Sequence, residues 1–164
     1  VADSNVLIGL AKGSVFFLAD LIRCIDVPCE VDFMAISHFA PGSGRVRIIK
    51  DLDIPIDGRD VVVVEDIVDT GLTLGYLLEQ LRLRLPASLE VCTLLDRTPS
   101  RILPLRLAFT GFAVDREFLI GYGLDFRERY RNVVDLHSVP LPVLARRPDA
   151  YVANLFGASA RGDA

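Results

Sequence analysis

Short apolar runs bounded by glycine, proline or charge recur along most of the chain, and between them two stretches repeat their apolar residues at helical spacing. The run Val61, Val62, Val63, Val64 has no polar alternation, so it suits a strand covered on both faces. Leu72, Leu77, Leu78, Leu81 and Leu85 then predict a helix over 72–85. Upstream, strands are expected over 6–11, 31–37 and 46–50. A helix over 15–24 carries Phe16, Phe17, Leu21 and Ile22, and Pro28 closes that unit. Lys12, Gly13 and Ser14 read as a turn, Pro41 to Gly44 as a mobile loop, and Asp57-Gly58 as the turn before the valines. Further strands are predicted over 89–95, 107–114 and 118–122. Strands alternating with helices imply an α/β fold, an open, mostly parallel twisted sheet flanked by helices. Beyond Asn132, prolines at 140, 142 and 148 and a small-residue end leave little periodicity. Leu136, Leu141, Val143 and Leu144 are the apolar residues there with a core role. One domain is expected over 1–145, with 146–164 a peripheral or flexible C-terminal extension.

Composition adds bounds. A chain of 164 residues, 51% of them hydrophobic, is long enough for one domain with a substantial core. No apolar run approaches the roughly 18 residues of a membrane span and no charged-then-apolar leader opens the sequence, so a cytoplasmic enzyme is the expectation. A net charge of −4 gives no general attraction to nucleic acid. Arg82, Arg84, Arg97, Arg101 and Arg106 are close enough in sequence to make a local basic patch, or simply a solvated face. Cys24, Cys29 and Cys92 form no C-x-x-C pair and leave one odd, which fits reduced thiols, Cys92 in the core.

The chemistry concentrates where the valine run ends. Glu65 and Asp66, then Asp69, Thr70, Gly71, Leu72 and Thr73, put three carboxylates, two hydroxyls and a small-residue turn at the carboxyl end of a strand, opening a helix. Ligands of open α/β sheets bind at that end, and the N–H groups of the following helix attract phosphate. Carboxylates beside a phosphate cradle repel the anion unless sugar hydroxyls or a divalent cation intervene, which points to a sugar phosphate with magnesium. Three acids within five residues also exceed what helix capping requires. Lys12-Gly13-Ser14 is not a Walker loop, which needs Gly-Lys-Ser/Thr, and neither a G-x-S-x-G elbow nor a metal-spaced His/Cys cluster is present.

The acidic stretch resembles the signature of the type I phosphoribosyltransferases. Leu10 to Ser14, Val31 to Ala35, Val46 to Leu52 and Gly121 to Asp125 resemble their bacterial hypoxanthine–guanine members, in family order over about 7–132. The resemblance implies transfer of the phosphoribosyl group of phosphoribosyl pyrophosphate to hypoxanthine or guanine, giving IMP or GMP and pyrophosphate. Asp69 would be the general base on the purine's imidazole nitrogen. The amides and hydroxyls of 69–73 would hold the 5′-phosphate, and Glu65 and Asp66 the ribose hydroxyls and Mg2+, with Asp125 a further metal ligand. Lys12, Gly13, His38 and Arg131 would meet pyrophosphate; Ile67, Arg97, Phe118, Leu119 and Asp125 would form the purine site, Phe118 by stacking. A homodimer or homotetramer is implied, with no membrane or nucleic-acid partner.

Three departures stand out. Arg97 replaces the family lysine that donates to the purine's six-oxo group, and an arginine fork approaches a carbonyl differently. His38-Phe39 replaces a Ser-Tyr pair at the base of a lid that is here a few residues shorter. The family's usual segment ahead of the first strand, part of a hood over the purine, has no counterpart, so a reduced hood is expected. These motivate a second reading, a degenerate module that senses phosphoribosyl pyrophosphate or nucleotides, and a third in which xanthine, another purine or a pyrimidine is the acceptor.

Overall fold

The valine run forms the middle of a six-stranded sheet. The computed structural model describes residues 5–38 and 46–157, which divide into one unit ending at Asp115 and another beginning at Arg116. In the first unit β1 (Asn5–Leu10), β2 (Glu30–His38), β3 (Val46–Lys50), β4 (Asp60–Val68), β5 (Ser88–Asp96) and β6 (Phe109–Ala113) lie in the order β3-β2-β1-β4-β5-β6. All neighbours pair parallel except the edge strand β3, which runs antiparallel to β2. The expected α/β architecture, an open, mostly parallel sheet flanked by helices, is therefore present.

Alternation of side chains along a strand explains the core. Val61 and Val63 of β4, with Val6, Ile8 and Leu10 of β1, face one side, where Leu74, Leu77, Leu78 and Leu81 of α2 (Leu72–Arg82) bury against them. Leu7 and Val64 face the other side, packing with Cys92 and with Leu18 of α1 (Val15–Ile22). Cys92 is thus in the core, and the described cysteines are all free thiols.

Helix α2 stops at Arg82, short of Leu85. Pro86 follows, and the residue before a proline is driven out of the helical region. Leu85 takes φ +55° and lies in solvent. The edge strand β6 is shorter than expected, and Phe109 and Phe112 on it are exposed.

A buried carboxylate ties β2 to the segment after β3. Asp32 is 6% exposed and accepts from the amides of Phe33 (2.7 Å), Asp53 (2.6 Å) and Ile54 (3.1 Å) and from Lys50 Nζ (3.3 Å). Burial works against its charge, but these donors outweigh it and hold the carboxyl below its usual range.

In the second unit β7 (Phe118–Ile120) pairs antiparallel with β8 (His137–Val139), followed by α3 (Leu141–Arg146) and α4 (Val152–Phe156). Its own core comprises Ile120, Tyr130, Val133, Val139 and Leu144, with Phe118, Phe126, Tyr151 and Leu155 against it. Between the two strands, Gly121, Tyr122 and Gly123 all take positive φ, and a Cβ on Gly121 would lie 2.1 Å from the Asp135 carbonyl. No described helix is long and apolar enough to cross a membrane.

Candidate active site

The acids and the turn of the first unit converge at the carboxyl end of β4. Glu65 and Asp66 are still in the strand, and Gly71, at φ +81°, turns the chain into α2 and, as its N-cap, supplies no side-chain cap. The uncapped N-terminus leaves helix amides for an anion. Glu65, Ile67, Val68, Asp69, Thr70, Gly71, Thr73 and Leu74 line a cavity of about 240 Å³. Leu72 has its side chain in solvent, and its amide reaches Thr70 Oγ1 at 3.4 Å.

Desolvation pushes the Glu65 carboxyl well above the usual carboxylate range, and the neighbouring Asp66 charge pushes it further. Asp66 accepts from the Ile67 amide (2.9 Å). The Lys12-Gly13 turn abuts this acid: a Cβ placed on Gly13 would lie 1.7 Å from Asp66 Oδ2, so any larger residue there would displace the Asp66 carboxylate. Buried Ser14 fixes the turn from below, donating to the Leu10 carbonyl at 2.6 Å, and the Ala11–Lys12 peptide is cis. Asp69 is paired with Arg97, Nη1 to Oδ2 at 3.2 Å, while its Oδ1 is buried with no hydrogen-bond partner. Arg97 also donates from Nε to the Asp115 carbonyl (3.2 Å).

In the second unit Asp125 pairs with Arg131 at 2.8 Å and caps the Glu128 amide, and Arg131 donates to the Gly123 carbonyl (2.7 Å). Phe118 meets Phe126 edge-on, with centroids 5.7 Å apart, and Leu119 pairs with Ser138 across the hairpin. His38 closes β2, but its side chain and the loop Pro41 to Gly44 lie outside the described residues.

The five arginines do not make a basic patch. Arg82, Arg84, Arg97, Arg101 and Arg106 each face a carboxylate: Glu79, Asp51, Asp69, Asp96 and Glu90 respectively. Nor is Arg101 part of a solvated face, being 12% exposed and directed at the carbonyls of Val68 and Asp69. Sequence reasoning missed that role, because nothing in the spacing of 101 from 69 signals their contact.

A parallel sheet ending in paired acids and a small-residue turn, with a glycine loop pressed against those acids, places the candidate site where ligands of open α/β sheets bind. The chain belongs to the phosphoribosyltransferase family: the model of the phosphoribosyl transferase domain matches residues 3–127. It is 48% identical over 129 residues to the hypoxanthine-guanine phosphoribosyltransferase of Bacillus subtilis, covering 77% of this chain and 72% of that one. It is 49% identical over 131 residues to that of Mycobacterium avium, covering 78% of this chain and 64% of the relative. The crystal structure of a hypoxanthine-guanine phosphoribosyltransferase from Bacillus anthracis superposes with a TM-score of 0.80 at 41% identity, over 83% of this chain and 82% of that one.

Proposed function

We propose that this chain is a purine salvage enzyme, transferring the phosphoribosyl group of phosphoribosyl pyrophosphate to hypoxanthine or guanine to give IMP or GMP and pyrophosphate. The observation that carries the reading is Asp69: one carboxylate oxygen is held by Arg97 and the other is buried without a partner, beside the phosphate turn. The hypoxanthine-guanine phosphoribosyltransferases it resembles support the reaction class and give the sensing-module alternative no support.

Asp69 accepts the proton leaving the purine's imidazole nitrogen as the new bond to the anomeric carbon forms and the bond to pyrophosphate breaks. The reaction centre gains positive character at that moment, which the neighbouring carboxylates favour. Glu65 and Asp66 take the ribose hydroxyls, whose hydrogen bonds repay part of the desolvation of Glu65. The amides and hydroxyls of Asp69, Thr70, Gly71, Leu72 and Thr73 take the 5′-phosphate. Lys12 and Gly13, with His38 and Arg131, receive pyrophosphate. Ile67, Arg97, Phe118 and Leu119 take the purine, Arg97 donating to its six-oxo group.

The donors fit magnesium. Glu65, Asp66 and Asp125 would offer the carboxylate oxygens that a hard divalent cation takes. Such a cation is held by one or two carboxylates together with substrate oxygens. Glu65, Asp66 and Asp125 would hold Mg2+, which would supply neutralisation of the charge on pyrophosphate. Residence in the cytoplasm and assembly into a dimer or tetramer complete the reading; the exposed Phe109 and Phe112 on an edge strand support self-association, and the mass in solution tests it.

The test of function is a spectrophotometric assay with phosphoribosyl pyrophosphate, Mg2+ and hypoxanthine, guanine, xanthine or adenine in turn. Turnover of hypoxanthine or guanine is expected; turnover of neither overturns the reading.

A further inference from the structure

Behind the phosphate turn, the segment from Arg97 to Leu103 engages three successive carbonyls. Arg97 N donates to Val68 O at 3.0 Å; Arg101 donates from Nη2 to Val68 O at 3.3 Å and from Nε to Asp69 O at 3.0 Å. The amides of Ile102 and Leu103 both donate to Thr70 O, at 2.9 and 3.0 Å. Arg101 is held for this task by an ion pair with Asp96, whose other oxygen accepts from Thr98 Oγ1 at 3.0 Å.

A peptide unit is planar and trans, so its N–H points opposite to its carbonyl. Drawing the carbonyls of Val68, Asp69 and Thr70 backward therefore aims the N–H groups of Asp69, Thr70 and Gly71 forward, on the side where a phosphate would sit. Were the Asp69 carbonyl released, its oxygen could rotate forward and repel the anion, and the Asp69 side chain would move with its backbone. Successive N–H groups converging in a turn make an anion-binding concavity.

We propose that Arg101 is a positioning residue for the 5′-phosphate and for Asp69: it spends its donors on the backs of two peptide units and never touches substrate. This deepens the proposed function and rests on it. Lysine cannot replace the guanidinium, because a single ammonium does not present the fork that reaches two carbonyls and a carboxylate together.

The experiment compares wild type with Arg101→Lys and Arg101→Ala, after far-UV circular dichroism and melting have shown each to be folded. Calorimetry with ribose 5-phosphate is expected to show affinity falling about 10- to 100-fold in Arg101→Lys, with the KM for phosphoribosyl pyrophosphate rising in step and the KM for guanine unchanged. In the ligand-free protein the amide resonances of Asp69, Thr70 and Gly71 shift, and millimolar guanidinium restores part of the affinity of Arg101→Ala. Wild-type affinity in a folded Arg101→Lys overturns the proposal, as do unshifted turn amides in the free protein, the mark of a direct phosphate ligand. Failure of the wild type to turn over either purine instead overturns the functional reading, while the amide shifts still judge Arg101.

Discussion

Asp69 combines two environments in one carboxylate: Oδ2 is tied to Arg97, and Oδ1 is buried without a hydrogen-bond donor. Leaving a buried acceptor unpaired costs about 1–3 kcal/mol, and under the proposed function the purine's N–H is the donor that such an atom lacks. Asparagine preserves the acceptor toward Arg97 but cannot take a proton. Asp69→Asn is therefore expected to leave the melting temperature unchanged and to lower kcat by about 10²- to 10⁴-fold. A steady-state assay beside a melting curve checks this, and unchanged kcat removes Asp69 from the chemistry. The acids were legible because carboxylates, hydroxyls and glycine crowd a few consecutive positions. Arg101 was not, since it acts across 32 residues of chain and its charge reads equally well as surface.

At the scale of elements, apolar pattern predicted the strands and the faces they bury, and it failed where proline or isolated contacts decide the outcome. Helix α2 ends early because Pro86 overrides the leucine spacing; β8, α3 and α4 are too short and too interrupted for periodicity to register. The motif residues Val31 to Ala35 and Val46 to Leu52 carried the family resemblance in sequence, and the structure gives Asp32 and Lys50 among them a joint scaffold role. Asp32→Asn is expected to cost about 1–3 kcal/mol at neutral pH, because it weakens a buried charge-assisted network. The sign with pH follows from the depressed carboxyl. Its folded pKa lies below the unfolded value of about 3.9, so the contribution is complete above that pH and is lost as pH falls through the folded value. Denaturant titrations should show the gap between wild type and variant constant from neutrality to about pH 5 and closing only in stronger acid. Gly71 offers a sharper test of the turn. At φ +81°, with a Cβ 2.9 Å from the Leu103 carbonyl, Gly71→Ala pays about 1–2 kcal/mol of left-handed strain and a backbone clash. Ribose 5-phosphate affinity, measured by calorimetry, should fall further than stability does; an unaltered affinity would free the turn from its assigned role.

At the scale of the whole molecule, the hydrophobic clusters of the two units share no residue, and the proposed ligands of each unit differ accordingly. The first carries the phosphate turn, the acids and the Lys12-Gly13 loop; the second carries Phe118, Leu119, Asp125 and Arg131. Phe118 packs on the same cluster as Leu144, Tyr151 and Leu155, and Tyr130 donates its hydroxyl to the Pro148 carbonyl at 2.7 Å, so chain beyond residue 140 braces the ring proposed to stack on the purine. Leu144 is fully buried and is the buried residue of the six-residue helix α3, which makes it the place to loosen that brace without touching a proposed ligand. Leu144→Ala should cost about 2–4 kcal/mol by opening a cavity there. Because the first unit keeps its own core, ribose 5-phosphate binding should survive while the KM for guanine rises, and hydrogen exchange should accelerate in residues 118–156 but not along β4. Equal loss of ribose 5-phosphate affinity and uniform exchange across both units would mean that the two cores melt as one, and that the brace acts on the whole enzyme rather than on the purine ring.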